Sequence, residues 1–197
     1  MLEIGIIIGS TRPGRNGDRV AQWVQELAAE HACDAAEFEL VDLKDYQLPL
    51  LDEPIPAGRA PGQQPHTRRW AERIGSYDAY IFVTPEYNTA PPASLGNAID
   101  YLHSEWAGKP VAYVGYGIHG AVMAVQKLRA QAGVLRMADI GPQVALTLRE
   151  DFVNSTDFRP RELHVAQVHG LVDELLAWAR ALGPLRVPAL AVSQQAQ

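Results

Sequence analysis

The chain has 197 residues, carries a formal net charge of −6 and is 47% hydrophobic, the profile of one compact domain with its own core. That balance argues against nucleic acid or an anionic membrane as the main partner, and no apolar run approaches the length that crosses a bilayer. With Cys33 as its only cysteine, the chain has no intramolecular disulfide framework and no cysteine metal cluster. Met1 leads straight into the first predicted strand, leaving no room for a signal or transit segment, so a cytoplasmic location is expected.

In chain order, strands are predicted at Leu2–Gly9, Glu37–Leu43, Ala79–Thr84, Pro110–Tyr116 and Gln143–Leu148. Several are apolar enough to be central parallel strands covered on both faces. Helical stripes fall between them: Val20, Trp23/Val24 and Leu27/Ala28, then Leu95, Ala98/Ile99 and Leu102, then Val122, Val125 and Leu128. A last helix over about Pro160 to Leu182 carries Val168, Leu171/Val172, Leu175, Ala179 and Leu182. This alternation predicts a single α/β domain over 1–182, a doubly wound five-stranded parallel sheet of flavodoxin-like order 2-1-3-4-5. Ligands are then expected at the carboxyl edge, where the first and third strands adjoin. Leu48 to Pro65, with five prolines and two glycines, reads as a surface excursion that covers part of the site or reaches a partner subunit. The segment from Gly183 onward reads as a mobile tail.

The richest stretch follows the first strand: Gly9-Ser10-Thr11-Arg12-Pro13-Gly14-Arg15-Asn16-Gly17, running directly into a helix. Its glycines let backbone N–H groups approach a ligand, and the first amides of the helix point at the loop with a partial positive charge. Ser10, Thr11 and Asn16 add neutral donors, while Arg12 and Arg15 each offer a charged planar fork. Together they describe a phosphate cup; a Gly-rich surface turn with two solvated arginines is the competing reading. The loop lacks the Gly-Lys-Ser/Thr ending of a triphosphate loop and the three-glycine spacing of a dinucleotide fold. A single terminal phosphate, as in a mononucleotide, suits it better.

A second loop ends the third strand, Thr84-Pro85-Glu86-Tyr87-Asn88-Thr89-Ala90-Pro91-Pro92. Prolines stiffen it, Tyr87 offers a flat face, and amides around Glu86–Asn88 are available to donate, which suits a flat heteroaromatic ring. A proline-rich connector with a partly buried tyrosine is the competing reading. The fourth strand runs into Gly115-Tyr116-Gly117-Ile118-His119-Gly120, a literal G-x-G-x-x-G. It follows the wrong strand for a dinucleotide fingerprint, and the next strand ends Leu148-Arg149-Glu150, a poor match to the acidic residue such a fingerprint requires. No nucleophile elbow and no H-E-x-x-H zinc helix is present. His164 and His169 are five apart, on different helix faces. No catalytic side chain and no metal site is expected.

Taken together, Gly9-Ser10-Thr11-Arg12 with Asn16, Pro85-Glu86-Tyr87-Asn88, and Leu95-x-Asn97-Ala98-Ile99-Asp100-Tyr101 resemble the NAD(P)H-dependent FMN reductases of flavodoxin-like fold, over residues 2 to 182. The resemblance implies FMN as cofactor and NADPH or NADH as hydride donor. It places Ser10, Arg12 and Asn16, with Thr11, Arg15 and Gly17 of the same loop, on the phosphate, and Pro85, Glu86, Tyr87 and Asn88 on the ring. Gly115, Gly117 and Gly120 border the ring's carbonyl edge. The implied acceptor is free flavin, a quinone or a similar small molecule, and the implied assembly a homodimer or homotetramer. Tyr101, Leu102 and Trp106 carry more aromatic surface than one stripe needs, which suggests burial against another chain. A flavodoxin-like electron carrier, or an FMN-binding sensor without NAD(P)H oxidation, is the alternative. The chain departs from the family at Pro92, at Gly96 near a usual lysine, and at Ala121 where a second glycine is usual.

Overall fold

The computed structural model describes residues 1–186. In chain order it contains β1 (Leu2–Ile8), α1 (Gly17–Ala32), β2 (Ala36–Asp42), α2 (Leu43–Tyr46), α3 (Pro65–Gly75), β3 (Ala79–Pro85), α4 (Ala93–Asp100), β4 (Pro110–Gly117), α5 (Val122–Val134), β5 (Ala138–Thr147), β6 (Phe152–Val153), β7 (Asp157–Phe158) and α6 (Leu163–Leu182). The large sheet has the order β2-β1-β3-β4-β5, all neighbours parallel, and the predicted fold class stands.

Burial explains why the central strands read as unbroken apolar runs. Ile4, Ile6 and Ile8 of β1 face one core layer with Val20 and Val24 of α1 and Val168, Leu171 and Leu175 of α6. Ile7, Phe82 and Tyr113 face the other, with Trp70 and Ile74 of α3, Leu95 and Ile99 of α4, and Val125 and Leu128 of α5. Each large apolar side chain so buried stabilises the fold by roughly 1.5–3 kcal/mol. Register then fixes the functional edge. Ile8 lies opposite Val83 and Pro85 opposite Tyr116, so the loops after β1, β3 and β4 leave the sheet side by side.

Several features differ from expectation, among them the short helix α2, which begins at Leu43 where the second strand was expected to end. β5 begins at Ala138, opposite Pro110, and bulges: where β4 advances from Val111 to Tyr113, β5 advances from Asp139 to Gln143, and pairing resumes beyond the bulge. The unpredicted α3 buries Thr67, Trp70 and Ile74; a stripe of three, straight after a proline-rich run, is too short to stand out. β6 and β7 form an unpredicted two-stranded antiparallel hairpin.

The aromatic surplus of the α4 exit is not an intersubunit surface. Tyr101, Leu102 and Trp106 are 1%, 3% and 0% exposed within the single chain. Trp106 packs edge-on against Trp70, Tyr80 and Phe82, and its indole N–H donates to the Ile99 carbonyl at 3.2 Å. The unpredicted α3 supplies the missing partner. Tyr101 instead reaches the proline-rich excursion, donating to Asp52 at 2.9 Å. Asn97 accepts from the Leu51 amide and donates to the Pro49 carbonyl. The excursion is thus laid along α4 by the side chains of the Leu95–Tyr101 motif.

At the other end, Gly183–Leu185 form a 3-10 turn and Arg186 pairs with Asp78. The rest of the expected mobile tail, 187–197, lies outside the described residues. Among the described residues no helix is long and apolar enough to cross a membrane, and no group of three or more His, Cys, Asp or Glu side chains is placed to hold a metal ion.

Candidate active site

The three loops enclose a cavity of about 370 Å³, within the range of small-molecule sites. Arg12, Gly14, Arg15 and Asn16 form one wall, Pro85, Glu86 and Tyr87 a second, and Tyr116, Gly117 and Ile118 a third. Leu148, Ser155 and Thr156 complete it.

The predicted phosphate loop divides its labour in ways its composition did not show. Ser10 is 1% exposed, and its hydroxyl shares a 2.9 Å hydrogen bond with the Tyr87 hydroxyl, tying the two main loops together. Arg15 does not present its fork to the cavity. Its guanidinium donates to Asp42 of β2, to Asp18 through Nε at 2.6 Å, and to the Ser10 carbonyl. It is a brace under the loop, and Asp18, the carboxylate of the first turn of α1, is neutralised by it. Arg12 is exposed and has no side-chain partner among the described residues, which leaves its guanidinium available at the rim. Asn16 donates its amide to the Ser155 carbonyl at 2.9 Å. Thr11 faces away, into a smaller pocket with Lys44, Ser94 and Asn97. Gly17 is buried at the start of α1, and a Cβ there would lie 2.9 Å from the Tyr116 hydroxyl.

The tyrosine loop is a tight turn. The Tyr87 amide donates to the Ala90 carbonyl at 2.9 Å and the Ala90 amide to Tyr87 at 3.1 Å, so the Tyr87 N–H, expected to be available, is committed. The two residues between, Asn88 and Thr89, have φ of 52° and 62°. Asn accepts this left-handed region; a β-branched Thr does so under strain. We expect Thr89→Gly, at an exposed position, to raise stability by about 1 kcal/mol after the added unfolded-state entropy is subtracted. The melting temperature should rise by roughly 2–4 °C; a fall would show that Thr89 is not strained.

The carboxylate of Glu86 accepts from the Ala124 amide at 3.0 Å. It caps α5, whose own N-cap residue, Ala121, is left-handed and gives no side-chain cap. A pyrophosphate bound in dinucleotide fashion would need that helix terminus, and Glu86 occupies it. The G-x-G-x-x-G is therefore structural here. Gly117 lines the cavity, while Gly115 and Gly120 do not; a Cβ on Gly115 would meet the Gly120 carbonyl and one on Gly120 would meet Ala145. His119 is exposed and outside the cavity.

The hairpin is the part that motif reading missed. Asn154 and Ser155, at φ of 51° and 61°, make its tip. Asn16 and Arg19 donate to the carbonyls of Ser155 and Thr156. Its body is held by Phe152 against Tyr116 and Phe158 against Trp23. Its base is held by buried Asp151, which accepts from the Thr147 amide and from Arg161 and bonds His164. The only local signal was Asn154-Ser155 between Phe152-Val153 and Asp157-Phe158, too weak to separate from a loop.

An open parallel α/β sheet of this order, with a cavity at its switch point between the loops after β1, β3 and β4, is a flavodoxin-type arrangement. The chain belongs to the NADPH-dependent FMN reductase family, whose family model matches residues 2–151. It is 36% identical over 186 residues to an NAD(P)H-dependent FMN reductase of Schizosaccharomyces pombe, covering 93% of this chain and 85% of that one. It is 37% identical over 132 residues to a quinone reductase of Pseudomonas putida, covering 60% and 66% of the two chains. In fold it is similar to a flavoenzyme NAD(P)H:(acceptor) oxidoreductase from Paracoccus denitrificans, with TM-score 0.70, 22% identity, and 92% and 98% of the chains covered.

Proposed function

We propose that this protein is an FMN-dependent oxidoreductase that uses NADPH or NADH to reduce a free flavin, a quinone or a similar small acceptor. The observation that carries the reading is the meeting of the Arg12–Asn16 wall and the Pro85–Tyr87 wall in one cavity. FMN, when bound, supplies the redox chemistry, accepting hydride from the nicotinamide and passing electrons to the acceptor. The chain supplies placement. Gly14, at φ of 69° and with open space where a side chain would stand, and the first amides of α1 leave room and donors for a phosphate. Arg12 adds charge. Pro85, Glu86 and Tyr87 shape the slot for the ring, with Gly117 at its edge, where close backbone approach needs no side chain; Asn88 is exposed outside the cavity lining and holds the turn beside it. Hydride transfer to a bound flavin needs no protein acid or base. A quinone acceptor is supported by the likeness to a reductase of that name.

A cytoplasmic location and assembly into a homodimer or homotetramer belong to the same reading. Support for assembly rests on the excursion, where Leu50, Leu51 and Ile55 are 83%, 48% and 40% exposed and a second copy would cover them. The reaction is tested by steady-state kinetics with NADPH or NADH against a quinone. Parallel double-reciprocal lines are expected, because the nicotinamide leaves before the acceptor enters. Absence of turnover in flavin-loaded protein would favour the electron carrier or sensor.

A further inference from the structure

We propose that the Tyr116 hydroxyl is a phosphate donor of this site, acting with the first amides of α1 to distinguish a phosphorylated flavin from an unphosphorylated one. The proposal rests on the FMN reading of the cavity and adds a residue to it. Five buried side-chain polar atoms have no hydrogen-bond partner among the described residues, on Thr67, Tyr113, Tyr116, Gln131 and Arg186. Of these residues only Tyr116 lines the cavity. Native proteins pair nearly all their buried hydroxyls, and exceptions mark places where a ligand completes the pairing.

The position of the hydroxyl says which ligand. Tyr116 is 5% exposed, and its Oη lies against Gly17, close enough that a Cβ there would come within 2.9 Å. Gly17 opens a helix of 16 residues, whose first-turn amides have no intrahelical partner. The buried hydroxyl therefore stands beside the first residue of a long helix, at the positive end that receives an anion. The nearby carboxylate, Asp18, is held by Arg15 at 2.6 Å, and Arg12 stands at the rim. Burial pushes the phenol well above its ordinary range, so it keeps its proton and remains a donor. Beside this point the Asn16 amide rests on the Ser155 carbonyl.

The test uses the full chain freed of flavin, as wild type and as Tyr116→Phe, with FMN, riboflavin and inorganic phosphate as probes. Affinity for FMN should fall about tenfold in the variant, equivalent to ~1.4 kcal/mol, and affinity for riboflavin should not change. The stabilisation by inorganic phosphate seen on melting should shrink. The ligand-free variant should melt close to wild type, since the hydroxyl only abuts the Gly17 backbone and makes no well-formed hydrogen bond among the described residues. Unchanged FMN and phosphate responses overturn the proposal. So does an equal loss for riboflavin, or a lower melting temperature without ligand, because either gives the hydroxyl a different role. Should phosphate bind in a Tyr116-dependent way while neither flavin binds, the FMN reading fails and the phosphate seat stands.

Discussion

Arg12→Ala lowers FMN affinity by tenfold to over a hundredfold and leaves the melting temperature of the flavin-free protein unchanged. The reason is a division between two arginines that look equivalent in the loop. Arg12 is exposed at the cavity rim and has no ion-pair partner among the described residues. Its removal costs the fold nothing but deletes a charge-assisted contact to phosphate, worth about 1.5–3 kcal/mol. Titration of flavin fluorescence against protein measures it directly. Wild-type affinity in Arg12→Ala would remove Arg12 from the phosphate site. Asn16→Ala should also weaken binding, but less cleanly, because its amide holds the hairpin tip through Ser155.

Arg15→Ala should behave in the opposite manner. Its side chain is 7% exposed and pairs with both Asp42 and Asp18, while a third bond fixes the Ser10 carbonyl. Deleting it leaves the Asp42 carboxylate, 22% exposed, without its cation, at a cost of about 3 kcal/mol for a buried pair broken from one side. The melting temperature of the flavin-free protein should drop by roughly 6–12 °C. FMN affinity should fall as a consequence, since the loop loses its brace. A variant as stable as wild type would show that the loop holds its shape through Ser10 and Ser94 alone, the latter donating to the Gly9 carbonyl at 2.7 Å.

These two arginines also mark where sequence reading stops. The loop announced itself because glycines, hydroxyls and cations crowd one strand end, and residue types carry that information. Which cation faces the ligand depends on Asp42, 27 positions away from Arg15, and no local pattern reports it. The main strands were readable for a simple reason: β1, β3 and β4 are buried on both faces and so are continuously apolar. α3 was hidden by its brevity and its proline-rich approach, and its absence made Trp106 look like a surface in need of a partner chain. Trp70 on α3 meets that need. The β6–β7 hairpin was unreadable because two-residue strands have no period, and its anchors, Asp151 with His164 and Phe152 with Tyr116, are long-range pairs. Ala121, noted as a departure where glycine is usual, does take the left-handed conformation that glycine favours, at φ of 57°. Tyr116 lay in plain view inside a glycine pattern, and only its buried, unpartnered hydroxyl distinguishes it.

The central claim is that a flavin seated between the Arg12 and Tyr87 walls is reduced by a nicotinamide. The most direct measurement is the visible spectrum of the FMN-loaded protein under anaerobic conditions as NADPH, and separately NADH, is added. The account predicts that one of the two bleaches the bound flavin in stoichiometric amount and that a quinone or free flavin then restores the colour. Tightly bound FMN whose spectrum neither nicotinamide alters would contradict it.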